Sequence, residues 1–367
     1  MIGLRSPITT RATGCSLRAY TSGAPYATRG LRWLPLRARG RRRIVRARSS
    51  CAGDQMRTST AFLCAWLASF SMPASAERGT YQPPRHDDGH PNFEGMWVNM
   101  SATPLVRPPG YTQLLISESE ARTIDSQRIA RAEDRTTPTE PTEWTNDRQI
   151  ERVSGTLRSS VIIEPSDGQI PGNEAFRKRV ATVPAAILHA MDGPEDRPSS
   201  ERCLGSQGVQ PPILSMAMGN LYLIVQTADT VVFFSEWLHD ARVIRMSAKH
   251  AHPAITSWLG DAIGWWEGDT LVVQTRYFTP SDKARTSPAG IFLVSPATTV
   301  TERFTRVSHE EMNYRFTIED PNWYERPWTG ETHFTRSDER LLEAACHEGN
   351  YNMRFNLEAA RTLEAER

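Results

Sequence analysis

Apolar and polar residues alternate along the second half of the chain, from about residue 219 onwards. A period of two is typical of strands with one buried face, because successive side chains point to opposite sides. The alternation predicts strands over residues 221–225, 231–237, 241–246, 263–278 (a hairpin), 300–307, 312–318, 328–335 and 341–346. Short polar turns separate several of them, as at 227–229 and 267–269. About eight consecutive antiparallel strands without intervening helices indicate an up-and-down barrel or a curved sheet.

The first half of the chain has fewer and more scattered elements. A short apolar strand is predicted over 93–98, and Ser117 with Glu120 forms a capping-box pattern that starts a helix ending near Ala132. A second helix is predicted over 173–191. The fold class is therefore mainly β, an antiparallel up-and-down barrel with two helices in an irregular N-terminal part. We expect one domain over 77–367, with helical decoration in 77–202 and the strand meander in 203–351.

The front of the chain differs sharply from the rest in charge. Residues 1–76 contain thirteen arginines, no lysine and one acid, Asp54. Residues 56–76 combine a basic start, a short apolar stretch and a small-residue end, Ala74-Ser75-Ala76, the pattern of a secretory signal peptide. Residues 1–55 are then either an untranslated leader upstream of the true start, which we favour, or an organelle transit peptide. The mature chain is expected to be periplasmic or secreted.

Charge and hydropathy exclude several functional classes. The whole chain carries +1 and residues 1–76 carry +12, which leaves −11 on residues 77–367. Such an acidic body disfavours nucleic-acid binding, which needs a basic face. No run of 18 apolar residues is present, so no membrane span is expected. A serine elbow, a Walker loop, a Rossmann fingerprint and a zinc-protease helix are also missing from the sequence.

Two cysteines, Cys203 and Cys346, remain after the predicted signal peptide. In an oxidising compartment they most simply form one disulfide bond. The alternative is two separate buried thiols. The bonded arrangement requires Cα atoms within about 7 Å of each other. We expect the bond because Cys203 precedes the first strand of the meander and Cys346 ends the last, and closing a barrel brings these strands together.

Several long motifs resemble a large family of exported bacterial proteins that is abundant in soil proteobacteria and acidobacteria. They lie at residues 91–97, 239–242, 258–273, 300–304, 319–321, 326–329 and 345–351. The resemblance covers nearly the whole predicted mature chain and implies a barrel similar to lipocalins. The chain departs from the family pattern at Ser247-Ala248-Lys249 and at Trp265. The resemblance implies no particular reaction.

The first candidate site is His239-Asp240-Ala241-Arg242. If this stretch is a strand, His239 lies on one face and Asp240 and Arg242 on the other. His239 then faces the lumen as a catalytic group, while Asp240 pairs with Arg242 outside or orients a neighbour. The alternative is a turn stabilised by an Asp–Arg pair. Glu302 and Arg303 are expected in an exterior ion-pair ladder with Glu319 and Arg326.

The second candidate site is Cys346-His347-Glu348, which we expect where the chain leaves the barrel. His347 and Glu348 suit acid–base catalysis, since histidine titrates near neutral pH and a carboxylate can hold its tautomer. The alternative is a purely structural disulfide site. Arg242 and the aromatic residues Trp237, Trp328 and Tyr351 are the candidate ligand-binding residues.

The sequence leaves two functions open. The first is an exported enzyme that acts on a small apolar molecule in a barrel cavity, by cofactor-free acid–base chemistry of the isomerase, lyase or hydrolase type. The second is a non-catalytic periplasmic carrier of such a molecule. We expect no cofactor and no metal, although His250, His252 and His347 keep a metal conceivable. Substrate and oligomeric state are not predictable from the sequence.

Overall fold

The computed structural model describes residues 81–133, 149–189, 191–199, 201–205, 208–216, 219–280, 285–287 and 290–366. The predicted leader (1–55) and signal peptide (56–76) lie outside the described residues. The strands, in chain order, are β1 (Gly95–Val98), β2 (Arg152–Val153), β3 (Thr156–Leu157), β4 (Ile162–Glu164), β5 (Leu221–Gln226), β6 (Thr230–Ser235), β7 (Ala241–Met246), β8 (Asp261–Glu267), β9 (Thr270–Arg276), β10 (Arg285–Ser287), β11 (Gly290–Phe292), β12 (Thr299–Arg306), β13 (Glu311–Glu319) and β14 (Trp328–Arg336). The helices are α1 (Glu118–Glu133), α2 (Glu174–His189) and α3 (Asn352–Ala365), with one 3₁₀ turn at Pro194–Asp196.

Nine strands close into a barrel in the order β1, β5, β6, β7, β8, β9, β12, β13, β14, and β14 pairs back with β1. The predicted mainly-β barrel is therefore confirmed. Neighbouring strands are antiparallel except β7 and β8, where Arg245 lies opposite Ile263 in a parallel pairing. A ring of nine strands cannot alternate in direction all the way round, so one parallel pair is unavoidable. The prediction of a purely antiparallel up-and-down arrangement is therefore wrong at the β7–β8 pairing, which we call the parallel seam.

The predicted last strand, 341–346, does not form. One bridge joins Trp237 to Ala344, and Leu342 is 72% exposed. The position beside β14 is already taken by β1, so the segment has no free barrel edge to join. Cys346 accordingly lies in a turn rather than at the end of a strand.

Both predicted helices are present, and the described part of the chain contains one further helix that was not predicted. The Ser117 backbone N–H donates to Glu120 Oε2 at 2.8 Å, and the Glu120 N–H donates back to Ser117 Oγ, which confirms the capping box. The α2 helix begins after Asn173, whose side chain accepts from the Phe176 N–H at 2.9 Å. The unpredicted helix is α3, which follows the disulfide region.

The two ends of the barrel are covered by different segments. The loop end is the end at which β5, β7, β8, β12 and β14 begin, and residues 208–216 and the β10–β11 hairpin contact it. The opposite end is covered by the chain that precedes β1, where Phe93 donates to Gln226 and His90 stacks on Trp266 at 4.8 Å. The interior between the two ends is rich in buried aromatic side chains: Trp97, Tyr222, Phe233, Phe304, Tyr314, Phe316, Trp328 and Phe334.

Candidate functional site

A buried polar network lies inside the barrel near the loop end. The Arg242 side chain is buried, as is Ile244, whereas Ala241 and Val243 are exposed, so alternation on β7 directs Arg242 inward. Its guanidinium contacts both carboxylate oxygens of Glu302 and donates to Thr275 Oγ1 at 2.7 Å. The network thus joins β7, β9 and β12 across the interior.

Tyr314 completes the network from β13. Its hydroxyl donates to Glu302 Oε1 at 2.8 Å and accepts from the Ile213 backbone N–H at 2.8 Å. Burial, and then the nearby Glu302 charge, raise the pKa of Tyr314 well above its ordinary value, so the hydroxyl stays a neutral donor. Arg242 Nε has no hydrogen-bond partner among the described residues.

This geometry corrects two expectations. Arg242 does not pair with Asp240, because its guanidinium points into the barrel and reaches Glu302. Glu302 is not part of an exterior ladder, because it occupies one of the buried positions of β12. Its neighbour Arg303 does lie on the outer face, where it pairs with Glu267.

A second buried guanidinium, that of Arg285, lies at the loop end. Arg285 donates to the Pro211 carbonyl at 2.6 Å, and its guanidinium lies 4.8 Å from the centre of the Phe278 ring. Burial lowers the pKa of Arg285 to about 9, an effect that Tyr324 opposes and Arg242 reinforces. The group therefore stays cationic at neutral pH. No carboxylate of the described chain forms a salt bridge with it.

We call Arg242, Thr275, Arg285, Glu302 and Tyr314 the loop-end cluster. It contains two guanidinium groups and one carboxylate, so its net charge is positive at neutral pH. Apolar side chains from the covering segments lie around it, and they include Ile213, Phe278, Phe292, Leu293 and Tyr324.

Asp240 precedes β7 at the loop end and is half-buried. Its Oδ2 has no hydrogen-bond partner among the described residues, and a Cβ atom on Gly205 would lie 3.3 Å from it. Burial raises the pKa of Asp240 to about 6. A carboxyl group with a pKa near neutrality and a free oxygen is chemically suited to accept or release a proton.

His239 does not face the lumen. It lies in the turn between β6 and β7, where Leu238 and His239 have φ angles of 63° and 53°, and its side chain is exposed. The prediction of an inward position assumed that a strand continued through this residue. Positive φ angles of this kind end a strand, which is the physical reason for the difference.

The disulfide between Cys203 and Cys346 is confirmed, with Cα atoms 5.8 Å apart. The Asn350 side-chain amide contacts Cys203 Sγ at 3.4 Å. His347 and Glu348 follow in an exposed turn, so they are not enclosed with the loop-end cluster.

The candidate ligand-binding residues are separated in space. Arg242 is inside the barrel, and Trp328 is buried with its ring edge-on to Phe316. Trp237 is half-buried beside Gly219, whereas Tyr351 is 63% exposed immediately before α3. The structure therefore brings only two of the four into the barrel interior.

A separate polar cluster lies on the outer face at the parallel seam. His250 Nδ1 is 2.8 Å from Asp261 Oδ2, and the other oxygen of Asp261 accepts from Arg245 at 2.6 Å. The Ala251 N–H also donates to Asp261 at 2.9 Å. Although burial works to raise it, the pKa of Asp261 is lowered by these hydrogen bonds and by the charges of Arg245 and His250. The cluster anchors the segment that crosses from β7 to β8.

Sequence reasoning missed four members of the loop-end cluster: Thr275, Arg285, Glu302 and Tyr314. The sequence does contain a signal for Glu302. It is two positions from each of the apolar residues Val300 and Phe304, so it lies on the same face of the strand as they do. A charge at a buried position of a strand needs a buried partner. No comparable signal points to Arg285, which lies in a short hairpin.

Comparison with known proteins adds no further assignment. No family model, curated protein or solved structure matches this chain. The resemblance to exported bacterial proteins and the likeness to lipocalins therefore stay predictions. Among the described residues, no group of three or more potential metal ligands is found, and no helix is long and apolar enough to cross a membrane.

Proposed function

We propose that the protein binds a small, mainly apolar organic molecule that carries an acidic group, with the acidic group at the loop-end cluster. One observation supports this most directly. Two guanidinium groups, those of Arg242 and Arg285, are buried at the loop end, and of the two only Arg242 forms a salt bridge among the described residues, with Glu302. A buried charge without a partner is costly, and a bound carboxylate would neutralise the excess positive charge.

The surroundings of the cluster suit the rest of such a ligand. Binding sites for small molecules are mostly apolar with a few well-placed polar groups. Phe278, Phe292 and Tyr324 supply apolar surface near Arg285. Arg242 Nε is a buried donor without a partner in the described chain, and it could donate to a ligand oxygen.

An enzyme remains the second candidate, and Asp240 supports it. Its Oδ2 has no hydrogen-bond partner among the described residues, and this, with a pKa of about 6, is a property of a general base. In this version, Asp240 takes a proton from a bound molecule whose oxygen is held by guanidinium donors, in an isomerase, lyase or hydrolase reaction without a cofactor. Catalytic roles for His239, His347 and Glu348 stay predictions, and their exposed positions give them no enclosed site.

The binding proposal can be tested with matched pairs of ligands. Each acid is compared with the alcohol of the same skeleton, from hexanoate and hexanol to dodecanoate and dodecanol, together with phenylacetate and 2-phenylethanol. We expect at least one acid to raise the melting temperature while its alcohol does not, and Arg285→Met to abolish the difference. If acids and alcohols behave alike, or if Arg285→Met retains the preference for the acid, the proposal is wrong.

Asp240→Asn separates the two candidates. A carrier should keep its affinity for the identified acid in this variant, because Asp240 is not among the cationic groups. An enzyme should keep binding and lose turnover of the bound compound. Product analysis by mass spectrometry after incubation with wild type and variant distinguishes these results.

We also propose that the protein is exported. The signal-peptide pattern over 56–76 and the disulfide between Cys203 and Cys346 support this, because such bonds persist mainly in oxidising compartments. Protein isolated from its host should begin near Glu77. A cytoplasmic protein whose N-terminus lies within residues 1–55 would contradict export.

A further inference from the structure

An aromatic contact crosses the inside of the barrel. Phe233 lies on β6 and Phe304 on β12, and these strands are four places apart in the closed ring of nine, so they form opposite walls. The two side chains are fully buried. Their ring centres are 5.0 Å apart, a separation at which aromatic side chains are in contact. The two rings therefore bridge the lumen from one wall to the other.

Further rings extend this contact into a layer. The ring of Phe304 stacks on that of Tyr314 at 4.8 Å. Phe334 meets Tyr314 edge-on at 5.5 Å, and it meets Tyr222 in the same way at 5.6 Å. These contacts join side chains from β5, β6, β12, β13 and β14. We call Tyr222, Phe233, Phe304, Tyr314 and Phe334 the aromatic layer.

The aromatic layer lies next to the loop-end cluster, on the side of the opposite barrel end. β12 begins at the loop end, and Phe304 follows Glu302 by two residues on the buried face of this strand. Tyr314 belongs to both groups, because its hydroxyl donates to Glu302 while its ring stacks on Phe304. A ligand held by the cluster can therefore extend along the barrel axis only by displacing packed rings.

The covering side of the loop-end cluster is built differently. Residues 208–216 and the β10–β11 hairpin are not strands of the barrel sheet. Hydrogen bonds from Ile213 to Tyr314 and from Arg285 to the Pro211 carbonyl tie them to the cluster. Barrel strands are held instead by ladders of backbone hydrogen bonds on both sides, as β12 is by β9 and β13. The apolar part of a ligand is therefore accommodated more easily among the covering segments than within the barrel.

From these observations we infer that the bound acid is compact, a short-chain or single-ring carboxylate, and that Phe233 and Phe304 determine this limit. The inference rests on the acid site proposed above and names the class of acid that it takes. In an open barrel, each added methylene would be buried in the lumen and would tighten binding. Here the methylenes of a long chain meet the aromatic layer or stay in water, so affinity stops rising with chain length.

Isothermal titration calorimetry tests this with phenylacetate and with straight-chain acids from hexanoate to dodecanoate, each below the concentration at which it forms micelles. The difference between wild type and Arg285→Met isolates binding at the cluster. Full burial would tighten binding by about fourfold for each methylene. We expect dodecanoate to bind less than about tenfold more tightly than hexanoate.

The result separates this inference from the proposed function. A larger gain from hexanoate to dodecanoate, lost in Arg285→Met, would overturn the compact-acid inference and leave the acid site in place. If no acid binds, the acid site is wrong and the inference fails with it.

Removing a ring from the aromatic layer should admit longer acids. Phe304→Ala opens an apolar space next to Glu302, and apolar cavities accept apolar ligands. We expect this variant to raise the ratio of dodecanoate affinity to phenylacetate affinity at least about tenfold, since two further buried methylenes suffice. Phe93→Ala is the matched control, because it removes the same atoms from a buried ring at the opposite end, and it should keep the wild-type ratio.

A milder variant probes the same contact from the other wall. Phe233→Leu removes less buried volume than Phe304→Ala and should change the affinity ratio in the same direction by a smaller factor. The melting temperature verifies that each variant is folded, and the chain-length series on wild type decides the inference without either of them. An unchanged ratio in the folded variants, or an equal gain in Phe93→Ala, would overturn the role of the aromatic layer.

Discussion

Replacing one partner of the buried Arg242–Glu302 pair should destabilise the protein far more than replacing both. Arg242→Met leaves the Glu302 carboxylate buried with Tyr314 but without its cation. Glu302→Leu leaves the Arg242 guanidinium with Thr275 but without its anion. Each single change should cost about 3–5 kcal/mol, because an uncompensated charge remains buried.

The double variant removes both charges and keeps side chains of similar volume. Replacing a complete buried pair by apolar residues is often nearly neutral. Here the Tyr314 hydroxyl loses its acceptor, a penalty of about 1–3 kcal/mol. We therefore expect the double variant to be clearly more stable than either single variant.

Urea unfolding, followed by tryptophan fluorescence, measures these free energies. For a domain of this size, 1 kcal/mol corresponds to a melting shift of about 2–4 °C, so the single variants should melt about 6–20 °C lower. If the stability losses of the two single variants sum to that of the double variant within about 0.5 kcal/mol, the two side chains act independently. That result would refute the buried ion pair.

Three further predictions concern other parts of the fold. Cys203→Ser should lower the free energy of unfolding by up to roughly 4–5 kcal/mol, because the disulfide bond closes a loop with a sequence separation of 143. In thermal melts, a reducing agent should lower the melting temperature of the wild type and leave that of this variant unchanged. Asp261 has a lowered pKa, so its stabilisation is present above the ordinary carboxyl pKa and lost as the pH falls; Asp261→Asn should destabilise at pH 7 and flatten the acid limb in urea titrations. Asp240 has a pKa raised to about 6, so the free energy of unfolding should decline as the pH rises from the ordinary carboxyl pKa to about 6. Asp240→Asn should remove this decline, and a pH profile unchanged by the substitution would contradict the raised pKa.

The barrel was largely predictable from local patterns. In β13 an apolar residue stands at every second position from Met312 to Ile318, which identifies both the strand and its inner face. The parallel seam was not predictable, because it follows from the number of strands in the closed ring and not from any one segment. Local patterns also could not show that residues 341–346 stay outside the barrel. The position beside β14 is occupied by β1, a strand more than 200 residues earlier in the chain.

The site was harder to predict than the fold. Arg242 was recognised as a functional candidate, but alternation reveals which face a side chain occupies and not its partner. Glu302 lies 60 residues away in sequence, and only the closed barrel brings the two together. His239 and His347 were candidates because they are titratable residues in motifs rich in polar groups. His239 lies in a turn with left-handed backbone angles and His347 lies in an exposed turn, so both are outside the barrel interior. Local backbone geometry therefore decides the position of His239.

Native mass spectrometry of the protein purified from its own host tests the central proposal most directly. The account predicts a co-purifying small molecule with an acidic group, present on wild type and lost from Arg285→Met. Tandem mass spectrometry after release would identify the acid. A wild-type protein that carries only a neutral compound, or that carries the same acid equally well in Arg285→Met, would contradict the assignment of the loop-end cluster as an acid-binding site.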